Sequence, residues 1–146
     1  MGISLSMDTS TMSVKITSVA KQLPKYSRTT AEIIPFLNLW LSGQEERFQR
    51  KVIKIFENAG VDKRYSIMDA EDVFLKTSFE EKNDIYIKES ILLSELALKK
   101  ALKKARLEAN SIDFIITVSC TGIMIPSLDA YLINRLPMRQ DIVRLP

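Results

Sequence analysis

Histidine is absent from this sequence of 146 residues, and cysteine occurs once, as Cys120. Without histidine, the chain cannot by itself form a Ser-His-Asp triad, a Cys-His pair or a histidine-based metal site. A single cysteine provides neither an internal disulfide nor a thiolate zinc cluster. The sequence therefore predicts no metal site, and an enzyme that uses one of these devices would need residues from outside this chain.

Long apolar runs and a secretory signal are also lacking. No stretch is apolar over the length needed to span a bilayer, and the start, MGISLSMDTSTMSV, has neither a basic end nor an apolar centre. We expect a cytoplasmic protein that does not enter a membrane. The net charge of +3 comes from 21 basic and 18 acidic residues interspersed along the chain, which does not indicate nucleic-acid binding.

What is present is the composition of one globular domain, or of a part of one. The length is that of an ordinary domain, and 46% of the residues are apolar, which is enough for a buried core. We expect residues 1–13 to form a disordered polar terminus and residues 14–146 to form the domain.

The first third of the domain has the pattern of a strand and two helices. VKITSVAKQLP, residues 14–24, is rich in β-branched residues and ends in proline, which predicts a strand. Thr29 or Thr30 can cap a helix that we expect to be interrupted near Pro35 and to end at Gly43. A second helical pattern follows and ends in the letters NAG.

The remainder alternates between helical and extended patterns. A short strand, RYSIM, and a helical turn, DAEDVFLK, precede a long helix over residues 84–108 that is basic toward its end. The continuous apolar run SIDFIITVS is typical of an inner strand of a covered sheet. Gly122 breaks this strand, Pro126 suits the start of the helix SLDAYLINRLP, and MRQDIVRLP approaches another strand. This alternation predicts an α/β fold with a layered βαβ arrangement.

The helix after Gly43 carries four cations on one face, here called the cationic stripe. In QEERFQRKVIKIF, Arg47, Arg50, Lys51 and Lys54 recur at i, i+3, i+4 and i+7. Such a stripe is self-repelling unless an anion binds it, and phosphate is the natural candidate. Spacing alone still favours the solvated face of an amphipathic helix, so both interpretations stay open at this point.

The second notable stretch is VSCTGIMIP, which places Cys120, Thr121 and Gly122 between a strand and a helix. Open α/β sheets bind ligands at such strand-to-helix turns. A free cysteine is more often a buried small hydrophobe than a nucleophile, and a nucleophilic thiol needs a base or a positive environment to form thiolate. Since this chain has no histidine for that role, we predict that Cys120 is not a nucleophile.

Taken together, these motifs resemble the type III polyketide synthases, or chalcone-synthase-like enzymes, among the thiolase-fold condensing enzymes. RFQR from Arg47, followed by DKRY at Asp62 to Tyr65, resembles the first coenzyme A helix of the family. CTGIMIPSLDAYL from Cys120 resembles the cavity turn of the family. The match runs from about Val14 to the end of the chain. The resemblance implies the N-terminal portion of a thiolase-like fold, whose family architecture is two duplicated βαβαβ halves in five layers.

Three cations of the stripe match the basic residues with which the family holds coenzyme A phosphates. They are Arg47, Arg50 and Lys54. The resemblance implies that coenzyme A thioesters are substrates and that no cofactor is permanently bound. Lys51 belongs to the stripe by spacing but is not matched by the resemblance.

The resemblance also assigns roles to the CTG stretch and to the residues that follow it. Cys120, Thr121 and Gly122 match the turn that lines the acyl cavity, so Cys120 would line this cavity rather than attack substrate. Ile125 matches a methionine that each subunit of the family inserts into the cavity of its partner. The implied homodimer interface therefore contains Met124, Ile125 and Pro126.

Two departures from the plant pattern of the family occur in this stretch. Met124 replaces the aspartate of the turn, and SLD replaces GAD after Pro126. The coenzyme A helix also runs on for several residues before KRY. These departures indicate a bacterial-type member and leave the starter acyl group open.

The activity implied by the resemblance is acyl transfer, in which acyl-CoA is condensed with malonyl-CoA by decarboxylative Claisen chemistry. The nucleophilic cysteine of the family would follow Pro146, and its histidine and asparagine come from the second half of the fold. None of these catalytic residues lies in this chain, so we expect the chain alone to be inactive. The alternatives are a 3-oxoacyl-[acyl-carrier-protein] synthase III, a hydroxymethylglutaryl-CoA synthase, or a non-catalytic module that binds an acidic partner through the cationic stripe.

Overall fold

The computed structural model describes residues 13–75 and 78–146. The predicted disordered terminus lies outside the described residues except for Ser13. The elements, in chain order, are β1 (Tyr26–Thr29), α1 (Thr30–Leu41), α2 (Glu46–Glu57), β2 (Lys63–Ser66), α3 (Ala70–Leu75), α4 (Phe79–Ala105), β3 (Phe114–Ile116), α5 (Leu128–Arg135) and β4 (Val143–Leu145). A single 3-10 turn at Ala109–Ser111 links α4 to β3.

The first packing unit contains β1, β2 and the helices α1, α2 and α3. The two strands pair antiparallel, with Tyr26 opposite Ser66. Thr29, one of the two predicted caps, is the N-cap of α1 and forms a capping box with Glu32. The predicted interruption at Pro35 is wrong, because α1 continues through it. Proline removes one backbone donor from the helix. The capping box and the burial of Leu37 and Leu41 nevertheless stabilise α1.

The second packing unit is a βαβ unit packed on the long helix α4. Strands β3 and β4 pair in parallel, and α5 forms the crossover between them, which confirms the predicted βαβ arrangement. Their shared core consists of Ala109, Ile115, Leu132, Leu136, Met138 and Ile142. Helix α4 begins at Phe79, five residues before the predicted start, because Ser78 caps it. Within the described ranges, no helix combines the length and the apolar character needed to cross a bilayer.

The predicted strand over residues 14–24 is wrong for this structure. The segment runs along α4, where the hydroxyl of Ser18 donates to the carbonyl of Ala101 at 2.9 Å. The ammonium of Lys104 donates to the carbonyl of Val19 at 3.1 Å. A strand requires a neighbour with free backbone groups, and the described pairs β1–β2 and β3–β4 leave this segment unpaired.

Strand β3 is covered on one face only, contrary to the prediction of an inner strand. Ile115 faces the core, whereas Phe114 is 48% exposed and Ile116 is 60% exposed. Val143 and Leu145 lie beside them in the parallel register and are also exposed. The apolar run in the sequence therefore reflects two apolar faces, of which this chain buries one.

Candidate functional site

The cationic stripe lies on α2, as predicted, and all four of its cations are exposed. The opposite side of the helix is only half-buried, through Val52, Ile53 and Phe56. Arg50 forms an ion pair with Glu46 one turn earlier, and its Nη1 lies 2.7 Å from Oε1 of that residue. Both side chains are more than two-thirds exposed, so this pair is weak and solvent can compete with it.

The four cations do not border the same surface. Arg50 and Lys54 border an open depression between α1 and α2, whose other lining residues include Asn38 and two carboxylates. Arg47 and Lys51 lie outside this lining. The depression is therefore of mixed charge, lined on its acidic side by Glu46 and Glu57.

Arg64, in the KRY motif after the stripe, makes contacts within the fold and is not one of the exposed cations of the stripe. Its guanidinium stacks on the ring of Phe56, 3.8 Å from the ring centroid. It also donates to the hydroxyl of Thr30 at 2.5 Å and to the carbonyl of Val61 at 3.1 Å. This cation therefore joins the end of α2 to β2 and to the start of α1, and it orients the stripe.

The CTG stretch forms an exposed turn after β3. Cys120 and Thr121 are exposed and Gly122 is half-buried, and the sulfur of Cys120 lies 3.9 Å from the hydroxyl of Thr121. The buried-hydrophobe interpretation of Cys120 is thus wrong for this chain. The exposed position of the thiol is compatible with the predicted cavity-lining role, which stays a prediction.

The residues predicted to form a dimer interface come shortly after the CTG stretch in the chain. Ile125 is 91% exposed, Pro126 is exposed and Met124 is half-buried. Pro126 does not open the helix, since α5 begins at Leu128 with Ser127 as its N-cap. An isoleucine side chain that projects fully into solvent is costly for an isolated chain and suits contact with another surface.

Two residues of α4 hold the turn of residues 119–123, and sequence reasoning missed both of them. The side-chain amide of Asn83 donates to the carbonyl of Ile123 at 2.9 Å and accepts from its N–H at 2.8 Å. The hydroxyl of Tyr86 is hydrogen-bonded to the hydroxyl of Ser119. Their spacing of three residues places both on one face of α4, but the sequence contains no sign of which segment they meet.

A buried carboxylate next to the turn was also missed. Asp129, in the first turn of α5, is fully buried and accepts hydrogen bonds from Thr117 and Arg144. Burial alone would raise the pKa of Asp129, but the hydrogen bonds involving Ser127 and Arg144 outweigh burial and hold this pKa below its usual value. Asp129 is therefore ionised at neutral pH and ties both ends of the turn region to β4.

The stripe and the turn lie on separate parts of the surface. Thr121 borders a cavity with residues that follow β2, among them Ile67 and Met68, whereas Arg50 and Lys54 border the depression on α2. In the part of the chain that the structure describes, no group of three or more cysteine or acidic residues could hold a metal ion.

Comparison with known sequences places the chain near enzymes that make polyketides. It is 37% identical over 94 residues to 1,3,6,8-tetrahydroxynaphthalene synthase of Streptomyces coelicolor, a match that covers 64% of this chain and 25% of that enzyme. It is 32% identical over 93 residues to phloroglucinol synthase of Pseudomonas fluorescens, covering 64% of this chain and 27% of that enzyme. No family model matches the chain.

The comparison with solved structures agrees with the comparison of sequences. The crystal structure of the Streptomyces coelicolor tetrahydroxynaphthalene synthase, a bacterial type III polyketide synthase, superimposes with a TM-score of 0.78 and 29% identity over 88% of this chain. The chain resembles a type III polyketide synthase in sequence and in fold. The α/β, thiolase-like fold predicted from the motifs is thus confirmed. The matched region is about a quarter of the length of the curated relatives and 37% of the solved structure.

Proposed function

We propose that this chain is part of a type III polyketide synthase, an acyltransferase that condenses acyl-CoA with malonyl-CoA. In this chemistry malonyl-CoA loses carbon dioxide, and the resulting enolate carbon attacks the thioester carbonyl of an enzyme-bound acyl group and displaces the enzyme thiolate. The observation that supports the proposal most directly is the agreement of sequence and fold on one family.

The described residues would bind coenzyme A and shape the acyl cavity, and they would not carry out the condensation. Arg47, Arg50 and Lys54 would hold coenzyme A phosphates, for which exposed cations on one helix face are suited. The turn with Cys120, Thr121 and Gly122 would line the acyl cavity. A second subunit of a homodimer would contact the residues after this turn, Met124, Ile125 and Pro126.

A product assay on the intact enzyme tests the proposal. The enzyme is supplied with malonyl-CoA and acyl-CoA starters of several chain lengths, and the products are identified by mass. Polyketides formed together with carbon dioxide are the expected result. The isolated chain should release no carbon dioxide from malonyl-CoA, because it contains no histidine and its one thiol has no base to form thiolate.

The alternatives give different products in the same assay. Condensation only with malonate carried on an acyl carrier protein would indicate a 3-oxoacyl-[acyl-carrier-protein] synthase III. Hydroxymethylglutaryl-CoA as the product would indicate the corresponding synthase. No condensation, combined with salt-sensitive binding of an acidic protein that requires the cationic stripe, would indicate a non-catalytic module.

A further inference from the structure

Two side chains of helix α4 are hydrogen-bonded to the turn of residues 119–123, one at each end of the turn. Tyr86 bonds to Ser119, just before the CTG stretch, and Asn83 bonds twice to Ile123, just after it. The three residues assigned to the cavity therefore lie between two fixed points. Both anchors come from a helix that is more than 30 residues away in the chain.

Gly122 lies against the ring of Tyr86 between these two anchors. A Cβ added at Gly122 would lie 2.5 Å from Cγ and 2.6 Å from Cε1 of this ring, closer than real Cβ contacts come. The backbone of Gly122 does not have a positive φ, since Gly60 is the glycine with that conformation in the described residues. The absence of a side chain at position 122 is thus needed for close approach to Tyr86 and not for an unusual turn.

Space remains beside the turn, so packing alone does not hold it in place. A cavity of about 280 Å³ is bordered by Thr121 on one side and by Asn83 and Tyr86 on another. Its remaining lining comes from Ile67, Met68, Val73, Phe79 and Lys82. With room available to shift, the turn depends on its three side-chain hydrogen bonds and on the Gly122 contact for its position.

We propose that Asn83 and Tyr86 are positioning residues that set the shape of the acyl cavity at Cys120, Thr121 and Gly122. They thereby select which acyl chains the enzyme accepts and extends. This inference rests on the proposed function. Neither residue would touch the reacting atoms, since both act on the turn through Ser119, Gly122 and Ile123.

The first measurement is amide hydrogen exchange of the turn in the protein. In Asn83→Ala, the N–H of Ile123 loses its acceptor, and its exchange should speed up about tenfold or more. Asn83→Asp keeps an acceptor for this N–H but loses the donor to the carbonyl of Ile123, so exchange at Ile123 should speed up less than in Asn83→Ala. Ser90→Ala, which removes a local hydroxyl bond of the same helix, is the matched control and should leave residues 119–123 unchanged.

The second measurement uses the product assay on the intact enzyme. Asn83→Ala and Tyr86→Phe should change the distribution of product lengths and lower kcat several-fold, while KM for malonyl-CoA stays within about twofold because the phosphates bind elsewhere. Gly122→Ala should act in the same direction by displacing the Tyr86 ring. Gly43→Ala is its control, since nothing lies within 4 Å of a Cβ added there.

The outcomes separate this inference from the proposed function. Unchanged exchange at Ile123 in Asn83→Ala overturns the inference, and so does an unchanged product distribution in Asn83→Ala and Tyr86→Phe. Faster exchange together with altered product lengths supports it. Faster exchange in a protein that makes no polyketide overturns the proposed function and the selection of acyl chains, while it supports the positioning of the turn by α4.

Discussion

Arg144 donates a hydrogen bond to the fully buried carboxylate of Asp129, which joins β4 to the first turn of α5. Thr117, the residue directly after β3, donates to the other oxygen of the same carboxylate at 3.3 Å. Asp129 thus connects the residues before and after the turn that carries Cys120. One buried charge keeps β3, α5 and β4 in register around the candidate cavity.

Replacing Asp129 by asparagine should destabilise the protein. The change keeps the shape of the side chain but removes the charge that Arg144 neutralises, so a charge-assisted hydrogen bond is lost. We expect the free energy of unfolding to fall by about 1–3 kcal/mol, measured by urea denaturation. Asp141→Asn, which alters an exposed carboxylate paired with Arg139, is the control and should change little. Equal effects of the two substitutions would contradict the role of Asp129.

The stability of the protein should decline in acid because of the same carboxylate. The pKa of Asp129 is lower in the folded state than in the unfolded state, so the folded state binds fewer protons. Its contribution is therefore complete above the unfolded pKa of about 3.9 and is lost as the pH falls through the lower folded pKa. The pKa of Glu95 is lowered by Lys99 and Arg135 and acts in the same direction.

Urea titrations between about pH 7 and pH 2 check this pH dependence. The free energy of unfolding should fall most steeply below about pH 4 in the natural protein. Asp129→Asn should be less stable at neutral pH and should lose less on acidification. A variant curve that runs parallel to the natural one throughout the acid range would show that Asp129 does not contribute through its ionisation.

The cationic stripe can be tested residue by residue through coenzyme A binding. Arg50→Ala should weaken binding of a coenzyme A thioester to the intact enzyme about 3- to 10-fold, because an exposed charge-assisted contact is lost. Glu46→Gln should strengthen binding modestly, since it releases Arg50 from its pair. The measurement is titration calorimetry at two salt concentrations, and the salt dependence should be smaller for Arg50→Ala.

Lys51→Ala is the control for the stripe, because Lys51 belongs to the stripe by spacing but is not matched by the family resemblance. Its binding constant should be close to that of the natural enzyme. If Lys51→Ala weakens binding as much as Arg50→Ala does, the stripe acts only as a diffuse basic surface. If neither substitution matters, the stripe is the solvated face of an amphipathic helix.

Cys120→Ser should leave acyl loading of the intact enzyme unchanged and should alter turnover or product length modestly. The reason is that Cys120 would line the cavity, where a change of one polar atom alters substrate selection by at most a few kcal/mol. Mass spectrometry of the acyl-enzyme checks the loading. Loss of all acyl-enzyme in a folded Cys120→Ser protein would show that Cys120 is the nucleophile.

The local elements of this fold could be predicted from the sequence. Thr29 and Glu32 form a capping box because the two residues are three positions apart, and the cations of α2 share a face because helical spacing requires it. The family resemblance also followed from short motifs, and the comparisons confirm it. These features depend on residues within one or two helical turns of each other, and their spacing is visible in the sequence.

Only the tertiary structure decided which distant segments meet. The β-branched segment of residues 14–24 has the composition of a strand but lies along α4, because a strand also needs a partner with free backbone groups. Asn83 and Tyr86 are ordinary polar residues of a helix until the fold brings Ile123 and Ser119 to them. Contacts between segments far apart in the chain depend on the packing of whole elements, and periodicity within one element cannot encode them.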